Sequence, residues 1–178
     1  MNRNIFFAIL CLLSCLTTSA QDKTGNLFHD KIMLEMGFEA ETKQHDIFPI
    51  GINVNIGYKF TSRLYAYGRY QGIVGLYDDS NFNTYTKTQN IGGGIGYIFH
   101  KEKHKAKTDL WSIRAQMTGS IGNPDWRNTT YDIGIFWQSK YGCSRLSPIL
   151  GLGFRHTNSH TQGIKDHNGI YASIGWGI

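Results

Sequence analysis

Every second residue from Ile50 to Phe60 gives Ile50, Ile52, Val54, Ile56, Tyr58 and Phe60, with Gly51, Asn53, Asn55, Gly57 and Lys59 between them. Successive side chains of a β-strand point to opposite faces, so such a segment is a ribbon with one apolar and one polar side. The pattern recurs eight times along the chain. It predicts strands over Ile32 to Ala40, Ile50 to Phe60, Leu64 to Leu76, Asn90 to Phe99, Leu110 to Ile121, Thr130 to Gln138, Leu146 to His156 and Ile170 to Ile178. Ribbons of about 10 residues have the length a tilted strand needs to cross a bilayer. The expected fold is all-β: an eight-stranded antiparallel up-and-down transmembrane barrel with a polar, filled interior.

The first residues belong to a different kind of segment. Arg3 is followed by an apolar run from Ile5 to Leu13 and by small residues at Thr18-Ser19-Ala20. This is the layout of a secretion signal over 1–20, with Gln21 as the mature N-terminus. Leu12-Leu13-Ser14-Cys15 offers an alternative, a lipoprotein site with Cys15 as the lipidated residue. A short lead over 21–30 and a barrel domain over 31–178 complete the expected organisation. Removing 20 residues from 178 leaves 158, enough for one domain. Loss of Arg3 lowers the formal charge from +5 to +4, a weak argument for any partner. Only Cys143 remains after Cys11 and Cys15 leave with the signal, so no internal disulfide and no cysteine metal spacing exists. No later stretch is long and apolar enough to be a membrane helix, so any crossing must be made by strands.

Alternation alone does not say which face is inside. In a soluble barrel that binds an apolar ligand, the alternative fold, the apolar face would line the cavity. The non-apolar face here is rich in glycine and carries few, mixed charges: Glu35, Glu39 and Asp132 against Lys59, Arg69, Arg114 and Arg155. Buried charges must be paired, and these sets nearly neutralise one another. Tyr58, Phe60, Tyr97, Phe99, Trp111, Trp137 and Trp176 fall near strand ends on the apolar face, where an interfacial aromatic girdle belongs. Both features place the apolar face outward. Arg69, Arg114 and Arg155 should then point into the lumen and pair with Glu35, Glu39 or Asp132. The expected connections are 41–49, 61–63, 77–89, 100–109, 122–129, 139–145 and 157–169. With the N-terminus starting in the periplasm the longer polar loops fall outside, and 100–109 is the exception, long for a periplasmic turn.

In this pattern, over about residues 27–178, the chain resembles the small eight-stranded outer-membrane barrels of the OmpA and OmpX type. The resemblance implies a bacterial outer-membrane location and contact with outer-membrane lipids and lipopolysaccharide. It also implies recognition of the last strand, Tyr171 to Ile178, by the barrel-assembly machinery. An eight-stranded lumen is just wide enough to be filled by side chains, so an open porin is not expected. A structural or surface-interaction role is the leading expectation.

The segment Arg155-His156-Thr157-Asn158-Ser159-His160 also looks locally like the lipid A deacylases, whose motif is His-x-Ser-Asn with an acid on the next strand. That resemblance implies a hydrolase with His156 as base and Ser159 as candidate nucleophile. Asn158 stands at the serine position, however, and Ile170 lies near the acid's place. Ser159 would need a bulge to face the same way as His156. A metal site from His156, His160 and His167 is weighed against polar decoration of a loop, and the latter is preferred. The basic run from His100 to Lys107 is expected to be a solvated turn. Gly92, Gly93, Gly94 and Gly96 open no helix, so no phosphate-cradling loop or nucleic-acid pattern appears, and no cofactor is implied.

Overall fold

The computed structural model describes residues 31–43, 47–77, 85–142 and 146–178. The expected signal segment, the Cys15 alternative and Cys143 lie outside the described residues. The barrel occupies Lys31–Ile178.

Its strands are β1 (Ile32–Glu41), β2 (Ile47–Lys59), β3 (Leu64–Tyr77), β4 (Tyr85–Lys103), β5 (Lys107–Ser120), β6 (Asn128–Tyr141), β7 (Ser147–Ser159) and β8 (His167–Gly177). Each pairs antiparallel with its chain neighbour, and β1 closes on β8 from Glu35↔Gly177 to Glu41↔Tyr171. Closure leaves no strand edge with unpaired backbone groups, which is the condition for crossing hydrocarbon with strands. The strand ends joined through 60–63, 104–106 and 142–146 form one end of the barrel, the short-turn end. The strand ends joined through 42–46, 78–84, 121–127 and 160–166 form the other, the long-loop end.

Strands extend past their expected limits where the apolar face stops. The 100–109 connection shrinks to 104–106, because β4 runs on to Lys103 and β5 starts at Lys107. The basic run is therefore mostly strand, with its turn confined to 104–106, and its residues from His100 to Ala106 are exposed. At the long-loop end, β7 reaches Ser159 and β8 begins at His167, shortening the expected 157–169 loop. Backbone pairing persists there on polar alternation alone, with no apolar signal to mark it. A bulge at Phe99 separates Ile98↔Ser112 from His100↔Trp111, and the extra residue reverses the alternation beyond it. Ile98 and Lys101 consequently both stand on the lumen side of the sheet, paired with Ser112 and Leu110.

Burial is inverted relative to a water-soluble barrel. Ile56 on the outer wall is 62 % exposed, while Arg155 is 2 % exposed inside. Ile52, Ile95, Ile133, Leu152, Phe154, Ile170 and Ile174 share the outer face, and Glu35, Glu39, Arg69, Arg114 and Asp132 share the buried one. The apolar face lies outside, so the lumen is not the apolar cavity a lipocalin-like binder requires.

Glycine on the inner face makes room for large rings. Tyr65 pairs with Gly96 and Tyr67 with Gly94. A Cβ on Gly96 would run into the Tyr65 ring, and one on Gly94 would meet the Tyr67 hydroxyl at 2.7 Å. Across the barrel Tyr171 pairs with Gly153 in the same way. This is aromatic cover of strand glycines, and it explains why a glycine-rich face belongs to a crowded interior.

Candidate functional site

The lumen is built in layers. Nearest the short-turn end lies an apolar layer of Met33, Tyr65, Tyr67, Ile98 and Leu110, with Phe136, Ile149 and Tyr171 as a second cluster. Met33, Ile98, Leu110, Phe136 and Ile149 carry no polar group, so alternation of apolar with polar residues does not place them in the interior. Tyr65 donates to Ser112 Oγ at 3.2 Å and Tyr67 to Gln116 Oε1 at 2.8 Å, so their hydroxyls are satisfied.

The middle layer is ionic. Arg114 grips Glu35 through both terminal nitrogens, at 2.6 and 3.0 Å, and Asn55 donates to the same carboxylate at 3.2 Å. The Arg114 guanidinium lies 4.2 Å from the centre of the Phe136 ring. Arg155 holds Asp132 in a second two-point pair, 2.8 Å from Nε to Oδ1 and 2.8 Å from Nη2 to Oδ2. Its remaining terminal nitrogen reaches Glu39 at 3.2 Å and Glu41 at 3.6 Å. Glu39 also receives Arg69 and Gln71, and Asn53 at 3.4 Å. Two-point arginine–carboxylate pairs fix orientation as well as charge. A cavity of about 20 Å³ among Glu35, Glu39, Asn53, Asn55, Arg69 and Arg114 has room for about one water.

Lys59, which sequence alternation grouped with these charges, does not join them. It ends β2 at the short-turn mouth and lies against Lys140 of β6. Conversely Glu41, expected in a loop, is part of the network. Glu41 is the last residue of β1 and is buried between Arg155 and His167, whose Nε2 is 3.4 Å away. A carboxylate at position 41 continues the inward series Glu35, Gly37, Glu39, and that spacing is the signal that could have found it.

Towards the long-loop end the lumen is filled by hydroxyls and amides. Thr118 and Thr130 share a hydrogen bond at 2.6 Å, and Asn90 donates to Asn128 at 2.8 Å. Trp126, from the connection between β5 and β6, is buried above them and stacks on His167 with centroids 5.7 Å apart. That connection is tied to the next one, with Arg127 N donating to Thr161 Oγ1 at 2.8 Å and His160 N to Arg127 O at 2.8 Å. No sequence periodicity marks Trp126, because it lies in a connection.

The candidate catalytic and metal residues are not assembled together. His156 faces outward beside Tyr131, and its Nδ1 shares a 2.8 Å hydrogen bond with Asn168, not with a carboxylate. The β6–β7 register runs without a bulge through Thr129↔Asn158 and Asn128↔Ser159, so Ser159 falls on the opposite face from His156. His160 bonds Thr129 outside, whereas His167 is buried in the lumen, so the three histidines do not converge. Among the described residues no group of histidine, cysteine or acidic side chains is placed to hold a metal ion.

The aromatic residues Tyr58, Tyr97, Trp111, Trp137 and Trp176 ring the outer wall at the short-turn end, with Phe60 and Phe99 beside them. Trp111 pairs directly with Trp137, and Tyr58 and Phe60 meet edge to face at 5.5 Å.

No protein-family description and no curated protein matches the chain. Among solved structures, the outer membrane protein Ail of Yersinia pestis in a phospholipid bilayer nanodisc is similar at 10 % identity. That match covers 83 % of this chain and 99 % of Ail, with a TM-score of 0.42.

Proposed function

We propose that the chain is an integral barrel of the bacterial outer membrane with a structural or surface-interaction role and a lumen closed to diffusion. The observation that carries this reading is the inversion of burial: an apolar outer wall around an ion-paired interior. A soluble monomer rarely exposes a contiguous apolar patch above about 600 Å². Here every strand contributes large apolar side chains to the outer wall, and a bilayer is the solvent that suits it. The aromatic girdle supports the same placement. Closure is supported by the apolar layer below, the ionic layer in the middle and Trp126 above. The tied connections 121–127 and 160–166 are then the surface offered to the outside. The lipids and lipopolysaccharide of the outer membrane are the surrounding partners, and the assembly machinery would engage β8.

Alkaline carbonate extraction and planar-bilayer conductance test the two halves separately. The barrel is expected to stay with membranes at high pH, and complete release would remove the membrane reading. Purified barrel in a planar bilayer is expected to give no sustained conductance step. A stable open-channel current would overturn the closed lumen while leaving membrane insertion intact.

A further inference from the structure

We propose that the short-turn mouth of the barrel is a binding site for a phosphate-class oxyanion, seated between Lys59, Lys101 and Lys140. These lysines come from β2, β4 and β6, every second strand of the closed barrel. β2 and β6 stand on opposite walls, yet the Lys59 and Lys140 side chains meet across the opening. Lys59 continues the inward series Asn53, Asn55, Gly57, and Lys101 is on the lumen side because of the Phe99 bulge.

Among the described residues no carboxylate forms an ion pair with Lys59, Lys101 or Lys140. Glu35 is the acid that most favours the charged Lys140, and its carboxylate is already held by both terminal nitrogens of Arg114. Lys140 lies beyond Trp137 near the short-turn end of β6, half-buried beside Lys59. Like charges turned towards one another in a half-buried mouth are an arrangement that a shared anion would stabilise.

The chemistry of the mouth fits an oxyanion. Ammonium groups donate only, three protons each, and converge well on a tetrahedral acceptor with several oxygens. Tyr65, Leu110 and Met33 form an apolar floor above the lysines, so the anion would stop at the mouth. Inorganic phosphate and the phosphate of a lipid headgroup present the same chemistry.

The test uses the full barrel refolded in a phosphate-free maltoside detergent and titrated with inorganic phosphate by calorimetry. Saturable binding is expected, weakened at least about tenfold, or 1.4 kcal/mol, by Lys59→Met and by Lys140→Met. Lys105→Met, in the adjoining 104–106 turn, should leave it unchanged. Gel mobility before and after boiling checks that each variant is folded. If a variant does not fold, amide shifts of residues 59, 101 and 140 in the unaltered barrel give the same answer. Repeating the titration in nanodiscs of phosphatidylglycerol separates the sources: headgroup occupancy abolishes the inorganic phosphate signal, and a free-phosphate site keeps it. Absence of saturable binding in detergent, or equal weakening by Lys105→Met, would overturn the site.

Discussion

Glu39→Gln is expected to destabilise the barrel by about 3–5 kcal/mol, the cost of leaving buried charge without its partner. Glu39 accepts from Arg69 and from Arg155, so one neutralised carboxylate affects two guanidinium groups. Arg155 keeps Asp132 and Glu41, but Arg69 retains only neutral Asn55 at 3.3 Å. Denaturant unfolding in lipid, followed by gel mobility, measures the loss. The exposed Glu102→Gln on the short-turn rim is the control and should stay within about 0.5 kcal/mol. A cost for Glu39→Gln as small as the control's would mean that the ionic layer does not hold the lumen together.

Arg114→Met should cost a comparable 3–5 kcal/mol, about the value for breaking a buried pair, because Glu35 is left in the lumen with only Asn55. Adding Glu35→Met should recover most of that loss. Removal of both charges eliminates the desolvation problem, and a methionine pair can pack against Phe136 and Tyr65, which Arg114 covers at 4.2 and 5.6 Å. The same unfolding measurement on the two single variants and the double variant gives the coupling. Additive losses, with the double variant worse than either single one, would contradict the pairing of Glu35 with Arg114.

The strands were legible because an apolar residue at every second position is a strong, local signal wherever one face meets hydrocarbon. It shows in Ile50 to Phe60 and in Ile170 to Ile178. Legibility failed where that signal stops while the backbone ladder continues. Glu41, His167 and the His100–Lys103 stretch lie on strand extensions that carry polar groups on both faces. It failed again where apolar residues point inward. Phe136 and Ile149 are buried in the lumen, and alternation that reads apolar as outward has no place for them. The Phe99 bulge reverses parity, and only pairing with β5 reveals it. Trp126 was beyond reach of any periodicity, since its position depends on how one connection folds back over the barrel. The inward arginines could be assigned to a face from their neighbours. Their individual partners could not, because these depend on registers around the closed barrel.

Quenching of tryptophan fluorescence by brominated lipid tests the inside-out arrangement most directly. The chain has four tryptophans, and three belong to the outer girdle while Trp126 is enclosed with 1 % exposure. Variants that each retain a single tryptophan, refolded into bilayers containing brominated acyl chains, are compared with the same variants in unbrominated lipid. Strong quenching is predicted for Trp111, Trp137 and Trp176, and none for Trp126. Quenching of Trp126 with the other three unaffected would contradict the account, since it would place the apolar wall inside and the charged layer outside.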